Sequence, residues 1–162
     1  MSSHTFRINS GLPEQAVLDL GCTSTIVTRS TKCLAKHPTN NGLRVGIPNG
    51  QVMQASHNAL LDLQHLPAQL NKQARIASVQ PDLHKSLVSL GQLCDHRCDY
   101  VLLDKKYASV IQQGKVTVIG VRDPSNGLWM VDLEPSNNQT ELPSNHPTYT
   151  HYAHNAYEQK QK

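Results

Sequence analysis

The apolar positions of this chain fall into short runs rich in Val, Leu and Ile between residues 16 and 133. Runs of that length and composition favour strands over long helices. Phe6 and Ile8 alternate with polar residues in a lead-in strand, and residues 14–20 read as a strand ending in a loop at Asp19. Thr25 to Ala35 mixes β-branched and polar residues, a strand or a short turn of helix, and His37-Pro38-Thr39-Asn40-Asn41-Gly42 is a loop by composition. Residues 43–47 and 51–55 flank Pro48-Asn49-Gly50, a hairpin signal because Asn and Gly tolerate positive φ. Residues 59–63 extend into a further strand, and 74–79 alternate apolar and polar before Pro81. His84 to Leu93 is the most helix-like stretch, interrupted at Gly91. Residues 100–103, 108–111 and 115–121 read as three strands, the last two joined at Gln113-Gly114, and 128–133 is a final strand after the turn Asp123-Pro124-Ser125-Asn126-Gly127.

From Pro135 onward Asn, Gln, Ser, His, Pro and Tyr dominate, and such a segment buries too little apolar surface to offset its ordering entropy. The expected organisation is one all-β domain over 1–134 and a disordered linker or truncated junction over 135–162. At 162 residues the chain accommodates one domain with a core, and with one Trp, one Phe and five Tyr that core must be aliphatic. Net charge is +3 with the basic residues scattered, which argues against direct nucleic-acid binding. No run approaches the ~20 apolar residues that span a bilayer, the first ten residues are too polar for a signal peptide, and four cysteines read as thiols, so a cytoplasmic location without membrane contact is expected.

The segment Ala16-Val17-Leu18-Asp19-Leu20-Gly21-Cys22-Thr23-Ser24 carries the chemistry most worth testing. An apolar strand runs into an aspartate, and a glycine two residues later turns the chain, so a carboxylate is held at a loop tip rooted in a strand. Thr23 and Ser24 offer hydroxyls to that carboxylate or to the loop backbone, and Gly91 offers a surface without a Cβ to pack beneath it. The bland reading is a turn begun by Asp19 in which Gly21 takes the left-handed conformation. Two other constellations are weaker. Cys94, Cys98, Cys33 and His37 would make a Cys3His zinc site, though neither pair has the tight Cys-x-x-Cys spacing. Cys22 with His57 or His84 would make a thiol–imidazole pair, though nothing fixes their geometry.

Asp19-Leu20-Gly21-Cys22-Thr23-Ser24 resembles the Asp-Ser-Gly-Ala-Thr-Ser loop of the aspartic protease segment in Copia-type LTR retrotransposon polyproteins. Val79-Gln80-Pro81-Asp82-Leu83 and Leu87-Val88-Ser89-Leu90-Gly91-Gln92-Leu93 resemble that family's second signature, and Ile47-Pro48-Asn49-Gly50-Gln51 sits where it has a hairpin. Arg122-Asp123-Pro124, Gly127-Leu128-Trp129 and Asn155-Ala156-Tyr157-Glu158 are similar to the junction with the pre-integrase region. The resemblance covers about residues 15 to 160 and rests on the order of the motifs. It implies a retropepsin-like acid protease β-barrel with one short helix, and a hydrolase activity processing a Gag-Pol polyprotein. It further implies a homodimer in which each subunit supplies Asp19, supported by Gly21, Thr23, Ser24 and Gly91. Pro48, Asn49 and Gly50 would then be a flap, the substrate a peptide or polyprotein, and neither metal nor cofactor is required. Leu20 departs from the pattern, since the family carries Ser or Thr there and leucine cannot make that hydroxyl's hydrogen bond. The alternative is therefore a catalytically inactive, decayed copy that keeps the fold as a dimeric binding or structural module.

Overall fold

The computed structural model describes residues 13–135, so the expected lead-in strand with Phe6 and Ile8, and the expected disordered tail beyond Pro135, lie outside the described residues. The described residues form twelve strands: β1 (Gln15–Asp19), β2 (Ile26–Val27), β3 (Ala35–Pro38), β4 (Arg44–Gly46), β5 (Val52–Gln54), β6 (His57–Leu60), β7 (Ile76–Val79), β8 (Leu87–Ser89), β9 (Tyr100–Leu103), β10 (Tyr107–Gln112), β11 (Lys115–Arg122) and β12 (Trp129–Asp132). A 3-10 turn (Gln73–Arg75) leads into β7, and one short helix, α1 (Leu90–Asp95), follows β8 directly. Ten strands form one sheet in the order β3-β6-β7-β2-β8-β1-β12-β11-β10-β9, while β4 and β5 pair only with each other.

This arrangement corrects the expected fold. The sheet is mixed, with β1 parallel to β8, β2 parallel to β7 and the remaining neighbours antiparallel. Its two ends, β3 and β9, are not paired with each other, so no sheet closes into the barrel that a retropepsin-like fold requires. The local chemistry of one end accounts for part of this. β3 is four residues long, exposed over most of its length, and finishes at Pro38, which has no N–H to offer a further strand. The hairpin of β4 and β5, which a closed sheet could have absorbed, stands apart as its own two-stranded ribbon.

The longest hairpin, β10–β11, turns at Gln113 and Gly114, both with positive φ (51° and 77°), the pairing whose twist matches right-handed strands. β11 crosses β12 closely at Gly120, where a Cβ would collide with the carbonyl oxygen of Met130. The core is aliphatic, as the shortage of aromatic residues requires, with Leu18, Val27, Leu61, Leu90, Val110 and Ile119 among its buried members. Trp129 is half-buried against this core, its indole N–H donating to the Asp104 carbonyl at 2.9 Å and its ring facing the Arg122 guanidinium at 4.5 Å. No helix among the described residues is long and apolar enough to cross a membrane.

The His84–Leu93 stretch divides differently from the helix expected there. Leu87–Ser89 is a strand slotted between β1 and β2, and the helix starts only at Leu90. It runs to Asp95, and the chain then reverses through Arg97, a non-glycine residue at φ 76°.

Candidate active site

The Asp19 loop grows out of the two central strands of the sheet. β1 has Ala16 and Leu18 buried, and its parallel register with β8 sets Leu18 opposite Val88 and Asp19 opposite Ser89. Asp19 is thus the last residue of a strand flanked on both sides, by β8 and β12. Immediately after it, the Gly21 amide donates to Asp19 Oδ1 at 2.7 Å, which fixes the carboxylate against its own turn. Gly21 has no positive φ; it matters because a Cβ there would stand 3.3 Å from Asp19 Oδ1 and crowd that contact. Of the bland reading, Asp19 does begin a turn, closed by its own carboxylate, but Gly21 is not left-handed.

Thr23 and Ser24 do not support the carboxylate, since neither hydroxyl makes a hydrogen bond among the described residues. Three residues absent from the expected set, Ser89, Thr25 and Gln92, instead hold the backbone of the loop. Ser89, fully buried, donates from Oγ to the Cys22 carbonyl at 2.7 Å and accepts from the Gln92 amide at 3.1 Å. Thr25, also buried, accepts on Oγ1 from the Ser89 amide at 3.1 Å, and its own amide donates to Gln92 Oε1 at 2.8 Å. Together with the Ser78 amide donating to the Thr25 carbonyl at 3.1 Å, these bonds tie the loop to β8, α1 and β7. The Ser-x-x-Gln spacing of residues 89 to 92 marks a helix start in sequence and could have singled out Ser89 and Gln92; Thr25 carries no such signal.

Gly91 is the second residue of α1 and is exposed; a Cβ there would have only Ser89 Oγ nearby, at 3.7 Å. The residue seated beneath the Asp19 turn is Ser89. Pro48, Asn49 and Gly50 form the exposed tip of the β4–β5 hairpin. There Asn49 Oδ1 accepts from the Gln51 amide at 2.9 Å and Gly50 takes φ 84°. The ribbon is tied back at its root, where the Leu43 carbonyl accepts from the Ala55 amide at 2.9 Å and from Gln80 Nε2 at 3.1 Å.

Cys22, Cys33 and Cys98 are each shifted toward the neutral thiol. Burial pushes the Cys22 thiol upward and the neighbouring Asp19 carboxylate adds to the shift, so it is poorly suited to act as a nucleophile with an imidazole. Burial raises the Cys33 thiol as well, and pushes Cys98 up to about 11 with help from Cys94 and Asp99. His57 is engaged through Nδ1 with Ser56 Oγ at 2.8 Å, and His84 is exposed. No cluster of three or more His, Cys, Asp or Glu that would hold a metal ion occurs among the described residues.

One departure from the resemblance is plain at this site. Leu20, where a hydroxyl residue was expected, is 79% exposed at the loop tip beside Asp19. The protease-specific features implied above, a closed barrel and two aspartates facing one water, are not found among the described residues of a single chain. No family model, curated protein or solved structure matches the chain.

Proposed function

We propose that the chain is an aspartic endopeptidase that works as a homodimer, each copy supplying Asp19, and that it acts on a polyprotein of the retrotransposon kind its motifs resemble. The reading does not need a closed barrel; it needs one carboxylate per chain, rigidly presented. The observation that carries it is the Asp19 turn: a carboxylate at the end of a flanked strand, locked at 2.7 Å by the Gly21 amide and seated on buried Ser89. Two such carboxylates brought to about 3 Å cannot both ionise, so the pair holds one shared proton and titrates as a unit. The ionised member takes a proton from water as that water attacks the scissile carbonyl. The protonated member hydrogen-bonds the carbonyl oxygen and helps protonate the departing amine. In this reading the β4–β5 ribbon folds over the peptide and excludes bulk water.

A second reading is favoured by Leu20, whose exposed apolar side chain replaces the hydroxyl of the resembled family: a non-catalytic dimer that binds peptide without cutting it. Incubation of the full chain with a mixed peptide library at mildly acidic pH separates the two. The peptidase reading expects pepstatin-sensitive cleavage that rises with the square of chain concentration when dilute and disappears in Asp19→Asn. Cleavage that survives Asp19→Asn removes Asp19 from the chemistry. Silence of the native chain, with cleavage gained in Leu20→Ser, identifies a decayed enzyme, and silence in both leaves the binding module.

A further inference from the structure

Residues 89 to 92 have the spacing of a capping box, in which the side chain of the third helical residue folds back onto the amide of its own cap. Half of that box forms, since Ser89 Oγ accepts from the Gln92 amide. The other half is exchanged with a different part of the chain. The Ser89 amide donates to Thr25 Oγ1, and Gln92 Oε1 accepts from the Thr25 amide at 2.8 Å. At the other end of the same side chain, Gln92 Nε2 donates to the Ile76 carbonyl at 2.8 Å and the Gln73 carbonyl at 3.1 Å. One amide therefore ties together the run-out of the Asp19 loop, the 3-10 corner entering β7, and α1.

We infer that Gln92 is a positioning residue for the Asp19 carboxylate, a role that rests on the aspartic-peptidase reading. The loop from residue 20 to 25 has few anchors outside itself, and Gln92 supplies the acceptor for its last amide while bracing that acceptor against two fixed carbonyls. Only a side chain with an acceptor at one end and donors at the other does both. An ionised glutamate offers acceptors only and is repelled by the Ile76 and Gln73 carbonyls; on protonation it regains one donor.

The test compares Gln92→Glu and Gln92→Leu in the full chain. Amide hydrogen exchange is read at Gly21 and Thr25, with Val110 and Val118 in the distant β10–β11 hairpin as the reference for global opening. In Gln92→Glu at neutral pH, protection at Thr25 and Gly21 is expected to fall about tenfold, the size of one lost hydrogen bond, while Val110 and Val118 hold. Protection is expected to return as pH is lowered and the introduced carboxyl takes up its proton, whereas in Gln92→Leu the loss persists at every pH. Where the native chain cleaves peptide, kcat falls with KM unchanged and follows the same pH recovery. Native protection at Thr25 and Gly21 in Gln92→Leu, or no recovery in Gln92→Glu, overturns the inference. If Gln92→Leu does not fold, the pH reversal of Gln92→Glu decides alone. Exchange that behaves as expected in a chain that cleaves nothing sinks the peptidase reading and leaves the tie between Gln92 and the loop standing.

Discussion

Replacing Ser89 with alanine removes one oxygen from the most heavily used position under the Asp19 turn. That oxygen donates to the Cys22 carbonyl at 2.7 Å and caps α1 by accepting from the Gln92 amide at 3.1 Å, and the side chain is fully buried. Loss of an N-cap hydroxyl costs about 1 kcal/mol. Stranding a half-buried carbonyl adds about 1 kcal/mol more. Alanine fills nearly the same space, so the cavity term is small and the total stays near ~2 kcal/mol. In a domain of this size each 1 kcal/mol moves Tm by about 4 °C, so the variant is expected to melt about 8 °C lower. Urea unfolding followed by Trp129 fluorescence and far-ultraviolet circular dichroism measures it, with the midpoint shifted and the slope unchanged. Ser24→Ala is the matched control, because Ser24 makes no hydrogen bond among the described residues and its loss should stay within about 0.5 kcal/mol. Equal and small effects in the two variants would refute the claim that Ser89, rather than the loop's own hydroxyls, seats the turn.

The remaining predictions concern the thiols and the close strand crossing. Cys98 has its pKa raised from 9.0 to about 11, first by burial, so the folded state favours its neutral thiol. Its contribution to stability is therefore complete below pH 9 and is lost as pH rises from 9.0 toward about 11. Equilibrium unfolding across that alkaline window should show a downward slope that flattens in Cys98→Ala, and alkylation at neutral pH should label exposed Cys94 well before Cys98. Gly120→Ala should cost about 2 kcal/mol through overpacking against the Met130 carbonyl and Leu18. Gly46→Ala should be neutral or slightly stabilising, because a Cβ there meets nothing within 4 Å; both are read by thermal unfolding.

What was legible in the sequence was local. Tyr100–Leu103 forms a strand with the boundaries expected, and the Gln113-Gly114 turn needs only two residues able to take positive φ. The β4–β5 hairpin around Asn49-Gly50 is legible for the same reason. Leu87–Ser89 was not, because its own residues fit a helix as well as a strand. What makes it a strand is a parallel register with Val17–Asp19, some 70 residues earlier in the chain. β2, only two residues long, is defined by its neighbours β7 and β8 and has no pattern of its own. β3 was hidden by composition, since His37 and Pro38 read as loop and tolerate a strand only because it is an edge.

The same distinction separates the candidate carboxylate from its setting, and explains why the order of motifs misled about the barrel. Asp19 and Gly21 meet through a bond that spans two residues, so a sequence reader finds them together. Ser89 and Gln92 bond to Cys22 and Thr25 of the loop across 64 to 67 residues, and those bonds form only once β8 and α1 lie beside it. Ser-x-x-Gln, read locally, announces a helix; in the fold one of its bonds is surrendered to Thr25, and the motif becomes a clamp on the loop that carries the acid. Barrel closure is more distant still, because it depends on whether the two outermost strands can find each other. Motif order says nothing about those edges, and at one of them the chain places a short, exposed strand ending in proline. The described residues thus present the Asp19 carboxylate at the end of a central strand of an open sheet, and a chemistry of two such aspartates requires a second copy.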